Sequence, residues 1–230
     1  MRKTDKLPEP KKMSTILRDE LSSELSAGCA ELKLEVSEQQ VEALCDYLEL
    51  LAKWNKAYNL TAVREPSAML RKHLLDSLAI APLLVGERLI DVGTGAGLPG
   101  VPLAILYPER EFHLLDSNSK KTRFLFQVKT ALGLDNMSVH HARVESFQAA
   151  QKFDAVLSRA FASLDDMVSG CRHLLAPKGQ FLAMKGIWPE EELAAVAKVC
   201  DILSVTAVAV PGLPDQRHLV AMVLRDQPAA

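Results

Sequence analysis

The sequence predicts an α/β protein: a doubly wound, mostly parallel sheet of seven strands closed by an antiparallel C-terminal strand, with a helical extension ahead of it. Three observations predict this. From residue 88 onward short apolar runs alternate with helical patterns, glycines crowd the point where the first run must turn into a helix, and no helix separates the last two runs.

Residues 1–12 read as a flexible tail, because Pro8 and Pro10 sit among charges and nothing periodic precedes Met13. From there to residue 84 the pattern is helical. Ile16, Leu17, Leu21 and Leu25 recur at helical spacing, and Val41, Leu44, Cys45, Leu48 and Leu51 do so more strongly after Ser37, with Gln40 in capping-box register. A third helix is expected to open near Ser67 and to run through Leu70, Leu74 and Leu78 until Pro82. Residues 13–84 are thus expected to form an N-terminal helical extension, and 85–230 the principal domain.

In that domain the apolar runs 88–92, 112–115, 137–141 and 155–157 have the look of strands buried on both faces. Helices are expected between them at 99–107, 119–132 and 164–175. Strands at 180–184, 204–210 and 219–224 follow, around a helix at 190–199. The last two strands are separated only by Pro211-Gly212-Leu213-Pro214-Asp215 and its neighbours, so they should pair as an antiparallel hairpin. Right-handed crossovers in such a series leave a ligand crevice at the carboxyl ends of the strands.

A chain of 230 residues is the size of one domain with an appended segment, and 48% hydrophobic with 24% charged residues is the balance of an ordinary folded protein. The net charge of −2 and a pI near 6.3 exclude an overall basic nucleic-acid binder, so any RNA contact must come from local patches. Cys29, Cys45, Cys171 and Cys200 lie far apart with no Cys-x-x-Cys pair, which argues against a disulfide framework and against a metal site and favours buried thiols. No segment resembles a signal peptide or a membrane span; a soluble, cytoplasmic protein is expected. The oligomeric state is left open by the sequence, and a monomer is assumed.

The densest chemical signal is Asp91-Val92-Gly93-Thr94-Gly95-Ala96-Gly97-Leu98-Pro99-Gly100. Residues 95–100 match G-x-G-x-x-G, and Asp116 follows at about the distance of a ribose-binding acid, so the crevice is expected to hold a nucleotide-like cofactor. Asp91 ahead of the first glycine makes the run D-x-G-x-G-x-G, which resembles the first motif of class I methyltransferases on a Rossmann-like fold. That reading favours S-adenosylmethionine over a nicotinamide cofactor. Gly93, Thr94 and Gly95 would line it, and Asp116, a carboxylate that only accepts hydrogen bonds, would take the ribose hydroxyls. Asp116 as a cap for the helix from Ser119 is the plain structural alternative. In the methyltransferase fold that the first motif resembles, the loop after the third strand covers the adenine, which implies that backbone groups of Val144 and Glu145 read its edge, with Glu145 as a solvated loop carboxylate the plain alternative; adjacent His140 and His141 point to opposite faces and should share no role.

Taken together, Trp54-Asn55-Lys56-Ala57-Tyr58-Asn59-Leu60-Thr61, Lys72-His73-Leu74-Leu75-Asp76-Ser77-Leu78, residues 91–102, Leu115-Asp116-Ser117, Ser158-Arg159-Ala160-Phe161-Ala162 and Met184-Lys185-Gly186 resemble the ribosomal small-subunit methyltransferase G family, known as RsmG or GidB. The resemblance runs from about Val41 onward; residues before Ser37 match less well. It implies transfer of a methyl group from S-adenosylmethionine to N7 of guanosine 527 in 16S rRNA, with the small ribosomal subunit or its RNA as partner. It also implies cofactor contacts at Gly93, Leu98, Val144, Glu145 and Arg159. A guanidinium after a buried strand needs an anion, and for Arg159 the cofactor carboxylate, an RNA phosphate, the guanine itself and a carboxylate of the protein all stand as candidates.

What the chain lacks is also informative. Exocyclic amine methylation usually calls for an Asn/Asp-Pro-Pro-aromatic motif after the fourth strand, where this chain has Ser158-Arg159-Ala160-Phe161; C5 methylation of a pyrimidine needs a cysteine nucleophile there. Guanine N7 needs neither, since its lone pair lies in the ring plane and carries no proton. No catalytic acid or base is therefore assigned, and catalysis is expected to be positioning and charge stabilisation. Phe161 can stack on the guanine or be core; Lys185 can contact RNA or be a solvated lysine. Arg64, Arg71, Lys72, His73, Lys120, Lys121 and Arg123, with Arg2, Lys3, Lys6, Lys11 and Lys12 on the tail, are the cations expected to flank the crevice. The competing readings are a methyltransferase for another RNA site, a small molecule or a protein, a nicotinamide-dependent oxidoreductase, and an RNA-binding factor without activity.

Overall fold

A computed structural model describes residues 13–225. The tail assigned to residues 1–12, with its five cations, lies outside the described residues. Helix α1 (Thr15–Glu31) starts at Ser14, whose hydroxyl accepts from Leu17 N, and α2 (Glu38–Tyr58) starts at Ser37 with the full capping box: Gln40 N donates to Ser37 Oγ, and Gln40 Oε1 accepts from Ser37 N. Asn59 ends α2 in the left-handed region, at φ +51°. Leu44, Leu48 and Leu51 are fully buried, each contributing about 1.5–3 kcal/mol.

The third expected helix forms, but not as one regular element. It is α-helical in α3 (Pro66–Met69), π-helical over Leu70–Leu75, and α-helical again in α4 (Asp76–Leu78), followed by a 3₁₀ turn at Ala81–Leu83. The widened turn lies where the chain meets the crevice, a common place for π segments.

The sheet comprises β1 (Arg88–Val92), β2 (Glu111–Asp116), β3 (Met137–His141), β4 (Phe153–Ser158), β5 (Leu175–Lys185), β6 (Cys200–Ala207) and β7 (His218–Leu224), in the order β3-β2-β1-β4-β5-β7-β6. Strands β1 to β5 are parallel, and β7 inserts antiparallel between β5 and β6. Between strands run α5 (Gly100–Leu106), α6 (Ser119–Leu132), α7 (Leu164–Cys171) and α8 (Glu190–Val196).

Several boundaries differ from those read in the sequence. β5 is eleven residues instead of five, because it spans both its parallel partner β4 and its antiparallel partner β7. β6 starts at Cys200, opposite Leu224, four residues ahead of expectation, and ends at Ala207; α8 accordingly stops at Val196. The last turn of the helix expected at 164–175 is a 3₁₀ turn, Arg172–Leu174.

Period-two alternation divides the sheet between two apolar layers. Leu89, Phe112, Leu114 and Leu182 face a core shared with α1, α2, α5 and α6, through Leu25, Leu48, Val101 and Phe124. Ile90, Val92, Leu115, Phe181 and Ala183 face the layer of α7, through Leu164, Met167 and Cys171. The N-terminal helices thus belong to the same core as the sheet. They reach the ends of β1 and β4, where the crevice lies.

Candidate cofactor and substrate site

At the end of β1 the chain must turn sharply, and Gly93 (φ +69°), Gly95 (φ +64°) and Gly97 (φ +93°) all hold left-handed backbone conformations. A Cβ on Gly93 would lie 2.6 Å from Ala160 Cβ, so only glycine fits between the ends of β1 and β4; at Gly95 the nearest atom would be 3.8 Å away, leaving that side of the loop open. The loop is fastened from behind. Gly93 N and Thr94 N donate to Leu115 O, Thr94 Oγ1 donates to Asp91 Oδ2 at 2.6 Å, and Gly100 N donates to the same oxygen at 2.9 Å. From α2, buried Tyr47 donates its hydroxyl to Ala96 O at 2.8 Å.

Asp91 is almost fully buried, and its other oxygen, Oδ1, has no hydrogen-bond partner among the described residues. Burial pushes its carboxyl up to about 6, against the opposing pull of Thr94, Gly100 and the Arg159 charge. Burial likewise holds the Tyr47 phenol protonated, well above its usual range.

Asp116 closes β2 with both oxygens in use: Oδ2 accepts from Gly95 N at 2.9 Å and Oδ1 from Asn118 N at 2.8 Å, with Lys121 Nζ 3.5 Å from Oδ2. A carboxylate has about four acceptor positions, so two remain for hydroxyls. The cap of α6 is Asn118, which accepts from Lys120 N, and not Asp116. Asp116 instead ties the glycine loop to the turn after β2.

Two clefts meet at Gly93. One, of about 330 Å³, is lined by Asp116, Lys121, Val144, Glu145 and Phe161 with their neighbours; the other, of about 220 Å³, is lined by Thr61, His73, Thr94, Leu98, Arg159 and Ala160 among others. Every residue expected to contact the cofactor therefore borders one of the two. Val144 and Glu145 sit in a 3₁₀ turn, and His141 Nε2 meets Ser117 O at 3.0 Å, tying that loop to the end of β2. His140 turns away and pairs with His113, 2.8 Å apart, so the two adjacent histidines do part company.

In the second cleft, Arg159 Nη1 donates to Asp76 Oδ2 at 3.1 Å, and Arg217 Nε donates to Asp76 Oδ1 at 2.8 Å. The protein carboxylate is thus the partner that the structure shows for Arg159. Asp76 was not singled out from the sequence, although an acid inside the apolar helical run Leu74-Leu75-Asp76-Ser77-Leu78 is a recognisable signal of a paired buried charge. His73 beside it is buried and engaged at both nitrogens, with Thr61 Oγ1 at 2.8 Å and Lys72 O at 2.9 Å. Burial first, and Arg159 second, lower its pKa, so it is neutral and contributes no positive charge.

Phe161 is half-buried: it packs against the apolar layer of α7 and also lines the first cleft. Lys185 is not a solvated lysine: its Nζ lies 2.7 Å from Glu192 Oε2 and donates to Ala162 O at 3.2 Å. Of the cations expected along the crevice, Arg71 pairs with Glu24, Arg64 donates to Asn59 Oδ1 and Lys121 answers Asp116, while Lys72, Lys120 and Arg123 stand exposed. No group of three or more potential metal ligands occurs among the described residues.

A seven-stranded sheet in this order, with a glycine loop after β1 and an acid at the end of β2, is the class I methyltransferase fold. Solved structures agree: a glycopeptide N-methyltransferase complexed with S-adenosylhomocysteine matches with TM-score 0.58 at 13% identity, over 66% of this chain and 87% of that one. A methyltransferase from Thiobacillus denitrificans matches with TM-score 0.50 at 14% identity, over 66% and 90%. Those likenesses concern the fold. Sequence narrows it further, for the family model of rRNA small subunit methyltransferase G matches residues 40–220, and the chain belongs to that family. Relatives of that name include one from Saccharophagus degradans, 52% identical over 210 residues (91% of this chain, 94% of that one), and one from Vibrio campbellii, 54% identical over 205 residues (88% and 96%).

Proposed function

We propose that this chain transfers a methyl group from S-adenosylmethionine to N7 of a guanine in 16S rRNA of the small ribosomal subunit, at the position equivalent to guanosine 527, in the cytoplasm. The observation that carries this reading is that the family match spans one continuous site, in which the glycine loop, Asp116 and Arg159 border adjoining clefts around Gly93. The residues present fit the cofactor. Asp116 keeps two acceptor positions that would take ribose hydroxyls, the turn at Val144 and Glu145 would border the adenine, the open side of Gly95 would admit the chain between base and amino acid, and the donors of Arg159 not used on Asp76 would take the carboxylate.

When bound, S-adenosylmethionine supplies a methyl group already activated by a sulfonium. The protein's part is to hold the guanine in line with it and to keep water away. N7 offers an unprotonated in-plane lone pair, so no residue has to remove a proton. The geometry suits that economy, since His73 has both ring nitrogens engaged and Asp91 lies behind the loop. Phe161, which lines the first cleft, supplies a ring on which a base can stack, and Lys72, Lys120 and Arg123 are exposed and can meet phosphates.

The test is chemical. N7 methylation leaves the glycosidic bond labile after borohydride reduction, so aniline should cleave 16S rRNA at that nucleotide in RNA from cells with the protein and not in RNA from cells without it. Purified protein with S-adenosylmethionine should restore cleavage in subunits from the deleted strain. Labelling of a different nucleotide, or of a small molecule alone, would reject the substrate and spare the cofactor.

A further inference from the structure

Three charged groups from distant parts of the chain meet beside the glycine loop. Asp76 is 3% exposed, and its two oxygens are divided between Arg159 at the end of β4 and Arg217 at the start of β7. A carboxylate so far out of water would be costly without such partners, but a single arginine would neutralise it. The second arginine leaves the trio with one net positive charge.

That surplus is placed where it can be used. Arg159 spends one of its five donors on Asp76, through Nη1, and shows no other hydrogen bond among the described residues, while its side chain lines the cleft with Gly93, Thr94 and Gly95. Arg217 uses its Nε on Asp76 and its Nη1 on Gln216 O, with Nη2 3.9 Å from Asp215, and is not among the residues lining that cleft. One arginine is therefore presented to a ligand and the other is used up in balancing the acid.

We propose that Asp76 is a positioning residue for the cofactor: it holds Arg159 by one corner so that the rest of the planar fork receives the cofactor's amino-acid carboxylate, and Arg217 cancels the charge of Asp76 so that Arg159 keeps its own. This rests on the cofactor reading above. Asp76 supplies geometry, Arg217 supplies charge, and neither touches the ligand. The π-helical turn at Leu70–Leu75 immediately precedes Asp76, which opens the short helix α4.

The experiment compares two ligands that differ only at the amino-acid end: S-adenosylhomocysteine, which carries the carboxylate, and 5′-methylthioadenosine, which lacks the amino-acid group. By calorimetry on the full chain, Asp76→Asn should weaken S-adenosylhomocysteine at least tenfold and leave 5′-methylthioadenosine within about twofold. The double variant Asp76→Asn/Arg159→Met should bind no more weakly than Arg159→Met alone. Arg217→Met asks the same question without removing the acid, should Asp76→Asn fail to fold, and predicts a smaller loss, about threefold to tenfold, again confined to S-adenosylhomocysteine. Equal losses for both ligands would make Asp76 a general support of the fold and overturn the proposal, as would no loss for either. If the wild-type chain binds neither ligand, the cofactor reading itself is wrong, and the proposal falls with it.

Discussion

The two clefts that meet at Gly93 are built by different means. On the Asp116 side, and in the glycine loop itself, the geometry is set largely by main-chain groups: amides of Gly93, Thr94, Gly95, Gly100 and Asn118 are each consumed by a carbonyl or a carboxylate within the sheet ends. On the Arg159 side it is set by side chains that travel far, with Asp76 and His73 from the N-terminal helices meeting Arg159 from β4 and Arg217 from β7. The first kind of construction comes with the fold and suits a ligand shared by many proteins. The second depends on helices added ahead of the sheet, so the same cofactor-binding fold is completed here by residues that the sheet alone does not supply.

The contrast can be broken most severely at the loop. Gly93→Val places a branched side chain where a Cβ already collides with Ala160 and where φ is +69°, and cofactor binding should vanish in calorimetry of the folded variant. Gly95→Ala is the sharper probe, because no protein atom comes nearer than 3.8 Å to the added carbon. It should cost about 1–2 kcal/mol of stability through its left-handed backbone and weaken the cofactor besides; unchanged affinity would move the cofactor away from this loop.

On the side-chain half the expected loss is smaller. Arg159→Lys keeps the charge but cannot both grip Asp76 and present a planar fork, and hydrogen bonds to charged groups are worth about 1.5–3 kcal/mol each. Cofactor affinity should therefore fall roughly tenfold to a hundredfold. A methylation rate and affinity equal to wild type would reduce Arg159 to a purely structural ion pair.

A titration separates the buried anchor of the loop from its rim. Asp91 ionises near 6 in the fold against 3.8 as a free side chain, so between those values the unfolded chain has released a proton that the fold retains. Its contribution to stability falls as pH rises from about 4 to 6 and is flat above. Relative to Asp91→Asn, the wild type should lose about 2.5 kcal/mol between pH 4 and pH 7, read from urea unfolding of both proteins at each pH. His113, held down to about 4 mainly by burial and also by Arg88 and His140, has the opposite slope in that window, but it is present in both proteins and cancels. Equal pH dependence in the two proteins would show that Asp91 is not buried as a proton-retaining acid.

The smallest effect is expected far from both clefts. Ser37→Ala removes half of the α2 capping box and should cost about 1 kcal/mol in thermal unfolding, with cofactor affinity unchanged. A matching loss of affinity would mean that α2 holds Tyr47 on the loop more loosely than its buried leucines imply.

Local features of this chain were legible because they repeat or because they are stereochemically exclusive. Alternating apolar residues assign Leu89 and Ile90 to opposite faces, a serine with a glutamine three places on starts a helix, and a run of glycines after a buried strand marks a loop that other residues cannot follow. Asp116 was legible for the same reason, as an acid at the end of the next strand. Strand limits such as those of β5 and β6 were not, since a strand extends as far as its neighbours offer partners, and β5 owes its eleven residues to β4 and β7 together. Nor was the pairing of charges. Arg159 and Asp76 are 83 residues apart and Arg217 and Asp76 141 apart, distances at which no periodicity survives. The fates of Lys185, Lys121 and Arg71, each taken up by a carboxylate, were equally hidden. Composition counts a cation and spacing places it on an element, but only packing brings the opposite charge within 4 Å and removes the water that would otherwise screen it.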